Sequence, residues 1–201
     1  MNVFHTRLAD GVPVCIRRVQ AEDERRLKDG IALLTPRSRY FRFFSGMREA
    51  PQRVVDALLD VDGHDHIAWG ALRTDEADTP ALGVVHAFRD AANPTEAEFS
   101  VAIIDAYHGR GLARLLTAVL LLDCRREGLD RLTLHVLAEN EAALTLARSL
   151  GATRTGADHD VLEFAIEIDR AIGILKADRR LPGLRAVFAE MPEEEPREDR
   201  G

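Results

Sequence analysis

The apolar positions of this chain fall into short runs with strand-like composition and longer runs with helical spacing. Two of the strand-like runs, Val3–Leu8 and Val12–Val19, flank an Asp-Gly pair, a combination that favours a tight turn and predicts an opening hairpin. Three more runs, Ile67–Arg73, Leu82–Arg89 and Glu98–Ile104, are separated by short polar segments. Short connections join neighbouring strands of opposite direction, so we expect an antiparallel meander in the middle of the chain.

Apolar residues spaced three and four apart predict helices elsewhere. Leu27, Ile31 and Leu34 lie on one face of a segment whose first turn is acidic. The run from Gly109 to Glu127 is apolar almost all round, which is typical of a helix buried against a sheet. Further helices are predicted over Pro36–Phe44, over Pro51–Val61 and from Asn140 to Gly151.

The last third of the chain adds two strands and a helical segment. The strands are predicted at Arg131–Ala138 and Asp158–Ile168, and the helical segment runs from Ile172 to Ala189 with a break near Pro182. After Met191 the residues are polar, charged or proline, so we expect disorder. The pattern as a whole predicts an α/β fold of the α+β type, with a folded domain at 1–168, a helical extension at 169–190 and a disordered acidic tail at 191–201.

Composition and charge narrow the class of protein. With 201 residues, 46% of them hydrophobic and 30% charged, the chain is suited to a single soluble domain with a sizeable core. The net charge of −7 argues against a general nucleic-acid binder but would attract a basic protein substrate. No apolar run has the length that a membrane span needs, so we predict neither a nucleic-acid nor a membrane partner.

The cysteines indicate a protein of a reducing compartment, and the histidines do not predict a metal site. The N-terminus lacks the basic flank and apolar run of a signal peptide, so Cys15 and Cys124 are expected to be reduced thiols in a cytoplasmic protein. His64 and His66 flank an aspartate, and this pattern is a candidate for metal binding. Catalytic zinc requires at least three protein ligands, and a third or fourth ligand is not evident nearby. We therefore predict no metal site.

Two glycines bracket Arg110 immediately before the longest apolar helix. A glycine loop that opens a helix lets the backbone approach a ligand closely, and the free N–H groups and the helix dipole favour phosphate. A Walker loop would need a Gly-Lys-Ser/Thr run, which is absent. A dinucleotide fingerprint would need Gly or Ala at position 114, where the chain has arginine.

The run His108-Gly109-Arg110-Gly111-Leu112-Ala113 resembles the [Gln/Arg]-x-x-Gly-x-[Gly/Ala] pyrophosphate loop of the GNAT superfamily of acyl-CoA N-acyltransferases. His108 replaces the usual first residue of that loop, and the other fixed positions match. Downstream, the segment from Asn140 to Gly151 resembles the family's N-x-x-A-x-x-L-x-x-x-L-G pattern, with Ala143, Leu146 and Leu150 in register. The order of strand, loop, helix, strand and capped helix agrees with the resemblance.

The resemblance implies a GNAT fold, with a mixed, mostly antiparallel, splayed sheet flanked by helices, and acetyl-CoA as cosubstrate. The backbone of the loop would hold the pyrophosphate, and the pantetheine would lie along the strand from Glu98 to Ile104 in a gap beside its parallel neighbour. Asn140 matches the family's CoA-contacting asparagine, although it is equally suited to capping the helix. The cofactor-binding residues implied are Ser100, Val101, Ala102, His108, Gly109, Arg110, Gly111, Leu112, Ala113 and Asn140.

The resemblance also indicates a general base. Glu98 lies ten residues before His108, where lysine acetyltransferases of this superfamily place a glutamate, and it shares a strand face with Ser100. Glu96 is a less well-placed rival, and an exposed strand acid without a catalytic role is the alternative. Many relatives carry a tyrosine general acid at the position of Ala147, which leaves three alternatives: release of CoA as a thiolate, protonation by water, or loss of activity.

The acceptor is indicated by the run from Pro36 to Phe44, which resembles a motif of the GNAT branch that contains bacterial protein lysine acetyltransferases. This makes Arg39, Tyr40 and Arg42 candidates for the acceptor side and favours a protein lysine as the amine. Two alternatives remain open: a small-molecule amine as acceptor, and a CoA-binding regulatory module without catalysis. The oligomeric state and acyl chain length are not specified by the sequence.

Overall fold

The computed structural model describes residues 3–45 and 50–191 and contains one eight-stranded sheet in the order β1-β2-β3-β4-β5-β6-β8-β7. The strands are β1 (Val3–Arg7), β2 (Pro13–Arg18), β3 (His66–Arg73), β4 (Gly83–Arg89), β5 (Glu96–Ile103), β6 (Arg131–Leu137), β7 (Thr153–Asp158) and β8 (Val161–Glu167). The opening hairpin and the central meander are confirmed, since β1 through β5 pair antiparallel in sequence order.

One pair of neighbouring strands is parallel, and it divides the sheet. β5 and β6 run in the same direction, whereas β6, β8 and β7 pair antiparallel on the far side. The sheet is therefore mixed and mostly antiparallel, as predicted. The strand predicted at Asp158–Ile168 is confirmed as β8, but the prediction missed its hairpin partner β7, which starts at Thr153 and ends at Asp158. The side chains of β7 are largely exposed, so no apolar alternation marked it as a strand.

Helices cover both faces of the sheet. Their bounds are α1 (Glu24–Ala32), α2 (Pro36–Phe43), α3 (Gln52–Leu59), α4 (Leu112–Arg126), α5 (Glu141–Ser149), α6 (Ile168–Ala177) and α7 (Pro182–Glu190). α1 and α3 form a small apolar cluster with Val84 of β4. The neighbouring Val85 belongs to the main core with α4 to α7, which places the two clusters on opposite faces of the sheet.

α4 is the central helix of the main core, and it carries one buried charge. Asp123 accepts hydrogen bonds from the indole N–H of Trp69 at 2.8 Å and from the guanidinium of Arg18 at 2.6 Å. Trp69 is fully buried on β3, and Arg18 ends β2. The carboxylate thereby connects the C-terminal half of α4 to two adjacent strands.

The C-terminal helices continue the same core beyond the predicted domain boundary at 168. Leu175 of α6 and Leu184 and Val187 of α7 are buried with α4, and α7 also contacts β1. Met191, predicted to begin the tail, is buried as well. The rest of the predicted tail, 192–201, lies outside the described residues. Within the described ranges, no helix is long and apolar enough to cross a membrane.

Candidate functional site

The glycine loop forms a helix N-terminus with free backbone donors. Gly109 and Gly111 adopt φ values of +71° and +84°, which side-chain-bearing residues rarely tolerate. Gly111 caps α4 without any side-chain hydrogen bond, and the first backbone bond of the helix runs from the Leu115 N–H to the Gly111 carbonyl. The N–H groups of Leu112 and Ala113 therefore point out of the helix end, the arrangement that binds phosphate.

A gap opens between β5 and β6 next to this loop. The two strands pair over only three residues, Glu96 to Glu98 of β5, before they diverge. β5 continues to pair with β4 as far as Ile103, and β6 continues to pair with β8. One edge of β5 from Phe99 onward is therefore left without a ladder partner in β6, and this fits the extended amide-bearing arm of acetyl-CoA. The predicted residues Ser100, Val101 and Ala102 lie on this half-buried part of the strand.

Glu98 is exposed at the point where the two strands separate. On the same face of β5, Ser100 accepts a hydrogen bond from the guanidinium of Arg42 on α2, at 3.0 Å. Burial lowers the pKa of Arg42 to about 10, although the nearby charge of Glu98 acts in the opposite direction. The structure therefore brings together a solvent-accessible carboxylate, a hydroxyl and a guanidinium beside the gap. Of the other acceptor-side candidates, Tyr40 is exposed on α2.

Two predicted cofactor-binding residues direct their side chains elsewhere. The imidazole Nε2 of His108 lies 2.9 Å from the carbonyl oxygen of Ile103, at the end of β5. The guanidinium of Arg110 forms an ion pair with Asp10 at 2.6 Å and lies over the ring of Tyr107. Contacts of these residues with a phosphate would therefore come from the backbone of the loop rather than from these side chains.

Asn140 acts as the N-cap of α5. Its side-chain oxygen accepts a hydrogen bond from the Ala143 N–H at 3.2 Å, which is the capping role considered for it. Its contact with CoA stays a prediction. Ala147, at the position where many relatives have tyrosine, is fully buried in the main core.

An aspartate that the sequence analysis did not single out fixes α2 against the end of β5. Asp105 accepts hydrogen bonds from the Thr35 N–H at 3.0 Å and from the Ser38 hydroxyl at 2.7 Å. Burial raises the pKa of Asp105, but these hydrogen bonds outweigh burial and lower it overall. The residues are about seventy positions apart in the chain, and only the cap pattern Thr35-Pro36 with Ser38 was readable from sequence.

A histidine pair under the acceptor-side face was also missed. His66 Nδ1 lies 2.7 Å from the Asp60 carbonyl, and His66 Nε2 lies 2.9 Å from His86 Nδ1. Both rings stack with Phe88. Within an apolar strand pattern, His86 carried no signal that distinguished it from a core residue. Among the described residues, no cluster of three or more metal-ligating side chains is assembled.

The histidine pair predicts a pH dependence of stability. Burial lowers the pKa of His66, and burial together with the charge of Arg42 lowers the pKa of His86 well below its usual value. In the unfolded chain both titrate near about 6.5. Below that pH the unfolded state binds protons that the folded state does not, so the unfolding free energy should fall by up to about 1.4 kcal/mol per pH unit for each histidine.

Urea unfolding at a series of pH values between about 5 and 7.5 measures this slope. The variant His86→Phe keeps an aromatic ring for stacking and should flatten the slope. If wild type and variant lose stability in parallel as the pH falls, the histidine pair is not the cause.

The two loop glycines predict different stability losses. Alanine at either position is expected to lower the unfolding free energy by about 1–2 kcal/mol, because an L-residue is strained in the left-handed conformation. A Cβ at Gly111 would also lie 2.6 Å from the Leu181 side chain, whereas nothing lies within 4 Å of a Cβ at Gly109. We therefore expect Gly111→Ala to lower the unfolding free energy more than Gly109→Ala, as measured by urea unfolding. Equal losses would show that Leu181 moves aside without cost.

Comparison with known proteins agrees with this geometry. The sequence model of the Acetyltransferase (GNAT) family matches residues 33–152. The chain is 31% identical to Acetyltransferase PA5475 of Pseudomonas aeruginosa over 144 residues, which make up 72% of this chain and 77% of that protein. It is 28% identical to Acetyltransferase Pat of Mycolicibacterium smegmatis over 128 residues, 64% of this chain but only 38% of Pat.

Solved structures show the same fold. The crystal structure of the GNAT domain of S. lividans PAT aligns with a TM-score of 0.75 and 22% identity, covering 82% of this chain and 96% of that domain. An identity this low establishes the likeness of fold alone. The match of the family model to more than half of the chain, together with the similarity to PA5475, shows that the chain belongs to the GNAT family of acetyltransferases.

Proposed function

We propose that the chain transfers the acetyl group of acetyl-CoA to a primary amine and that its preferred acceptor is the side chain of a protein lysine. The observation that carries the proposal is the gap between β5 and β6, which runs from the exposed carboxylate of Glu98 to the free N–H groups at the start of α4. A pantetheine arm in this gap would place a thioester beside the carboxylate and a diphosphate at the helix end.

Backbone groups would hold the cosubstrate. The N–H groups of residues 109–113 would bind the diphosphate, and the unpaired edge of β5 at Ser100, Val101 and Ala102 would bind the pantetheine amides. When bound, acetyl-CoA supplies an acyl thioester. A β5 N–H in this stretch is then suited to stabilise the negative charge that develops on the thioester oxygen.

Glu98 is proposed as the general base. A lysine ammonium has a reference pKa of about 10.4, so that its neutral form costs roughly 4–5 kcal/mol at pH 7. A carboxylate at the entrance of the gap lowers this barrier by taking the proton directly or through a water. Glu96 is less suitable because its carboxylate pairs with Arg131 at 3.2 Å.

The choice of a protein lysine rests on the α2 segment. The run from Pro36 to Phe44 that resembles protein lysine acetyltransferases forms α2, and its Arg42 contacts Ser100 of β5. The similarity to Acetyltransferase Pat supports acetyl transfer, and the acceptor is inferred from α2 alone. Because α2 forms a wall of the acceptor side, its side chains are expected to decide which amine enters.

The test compares acceptors under identical conditions. Thiol release from acetyl-CoA is measured with a lysine-containing protein mixture and with a panel of polyamines, amino acids and aminoglycosides. Faster transfer to protein lysines supports the proposal, and faster transfer to a small amine contradicts the acceptor while leaving the acetyltransferase activity intact. CoA binding without transfer to any amine would instead indicate a regulatory module.

A further inference from the structure

The hydrogen bonds of the histidine pair determine which nitrogen of each ring carries a proton. The Asp60 carbonyl is only an acceptor, so His66 donates to it through Nδ1–H. In a neutral His66, Nε2 is then a lone pair and accepts from the Nδ1–H of His86. The Nε2 atom of His86 is consequently an unprotonated acceptor.

This acceptor is buried and has no hydrogen-bond partner among the described residues. Such an atom costs free energy, because its bond to water is lost without replacement. Nδ1 of His86 faces His66 on β3, and β5 pairs with β4 on the opposite side. There Ser100 is the register partner of His86, on the strand face that also carries Glu98. The orphan acceptor thus lies beneath the proposed acceptor side.

We infer that His86 Nε2 is the second proton acceptor for the reacting amine and that His66 is a positioning residue that holds His86 in the required tautomer. The inference rests on the proposed function. A lysine ammonium must lose two protons to become an amide, and one carboxylate can take only one of them. Glu98 takes the first, which leaves a neutral nucleophile whose remaining N–H bonds can point to His86 Nε2 when the side chains that cover this atom move apart.

The second proton leaves as the C–N bond forms and the C–S bond breaks. The N–H bond of the amine breaks and an Nε2–H bond forms on His86, while the Nδ1 proton of His86 moves to His66 Nε2. His86 ends neutral, and His66 becomes an imidazolium that still donates to the Asp60 carbonyl. The sulfur departs with the electron pair of its bond and takes one proton from water, so one proton is released overall.

Burial opposes a positive charge on either ring, and the charges around the pair favour His66 over His86 as the ring that carries it. Arg42, on α2, opposes a positive charge on His86, whereas the carboxylates of Asp60 and Asp62, after α3, favour one on His66. Glu98 on β5 is a further charge on this face, and it acts on Arg42. Moving the proton from His86 to His66 therefore carries positive charge away from a cation and toward two anions.

The experiment uses the full chain and three matched variants. His86→Gln keeps a polar side chain that cannot take up a proton. His66→Gln removes the imidazole that holds His86 in its Nδ1–H tautomer. His5→Gln is the control, because it changes an exposed histidine on the far edge strand β1. We expect His86→Gln to lower kcat about 10²-fold with KM for acetyl-CoA unchanged, His66→Gln to lower it less, and His5→Gln to leave it at the wild-type value. The acid-side decline of kcat in the wild-type pH profile should be altered in His86→Gln.

A second measurement does not depend on activity. Nitrogen-15 NMR of the wild-type imidazoles should show Nδ1–H and unprotonated Nε2 for His86, and His66→Gln should abolish that fixed tautomer. A wild-type kcat in a folded His86→Gln variant, or an Nε2–H tautomer for His86, would overturn the inference. If the wild type transfers acetyl to no amine, the proposed function fails, and the NMR result still decides the tautomer.

Discussion

Replacing Glu98 by glutamine is expected to slow acetyl transfer to a lysine acceptor about 10²–10⁴-fold, the range for loss of a positioned general base. Glutamine preserves the size of the side chain and its polarity but cannot accept the proton of the ammonium. The side chain is exposed where β5 and β6 diverge, so the change should leave folding and the affinity for acetyl-CoA unchanged. Steady-state thiol release and calorimetric binding of CoA measure the two quantities separately.

Glu96→Gln is the matched control, since Glu96 lies two residues earlier on the same strand face and pairs with Arg131. We expect transfer within about threefold of wild type for this variant. If the rate of acetyl transfer falls in Glu96→Gln and not in Glu98→Gln, the general base is Glu96 instead. Because base catalysis matters most when the amine is protonated, the deficit of Glu98→Gln should shrink as the pH rises toward the pKa of the acceptor amine.

Replacing Asp123 by alanine is expected to lower the unfolding free energy by about 2–4 kcal/mol, because a buried donor and a cation lose their shared acceptor. The indole N–H of Trp69 is sealed in the core, and Arg18 is only partly open to water. The loss is larger than for an exposed surface ion pair such as Lys28 with Glu24, because water screens the attraction between those two side chains. Urea unfolding of the two variants Asp123→Ala and Glu24→Ala measures the difference.

Asp123→Asn separates charge from hydrogen bonding. The amide oxygen can still accept from Trp69, so this variant should retain about half of the stability lost by alanine. Equal losses in asparagine and alanine variants would show that the attraction to Arg18 dominates. A loss below about 1 kcal/mol in the alanine variant would show that water reaches the site and satisfies both donors.

The parts of the fold that sequence predicted are those with a strong local signal. The meander, the glycine loop and the buried α4 follow from apolar runs and two glycines with positive φ. β7 was missed because five of its six residues are exposed, and hydrophobic periodicity is silent when neither face is buried.

The candidate site follows the same rule. Glu98 and the loop were reached through local motifs, whereas the contacts that fix the acceptor side join distant residues. Asp105 bonds Ser38 across the chain, and His86 is linked to His66 only because β3 and β4 pair in one particular register. A one-residue slip would place the two rings on opposite faces, and no single-sequence pattern reports register to that accuracy.

The position of α7 has a consequence for how the protein is made. α7 packs against β1 and α4, and Gly183 comes so close to β1 that a Cβ there would lie 2.8 Å from the Thr6 hydroxyl. The first described strand to leave the ribosome is thus covered by the last described helix to leave it. During synthesis the part of the apolar surface of α4 that α7 covers stays open until residues beyond 181 have emerged, and we expect the nascent chain to engage chaperones until then.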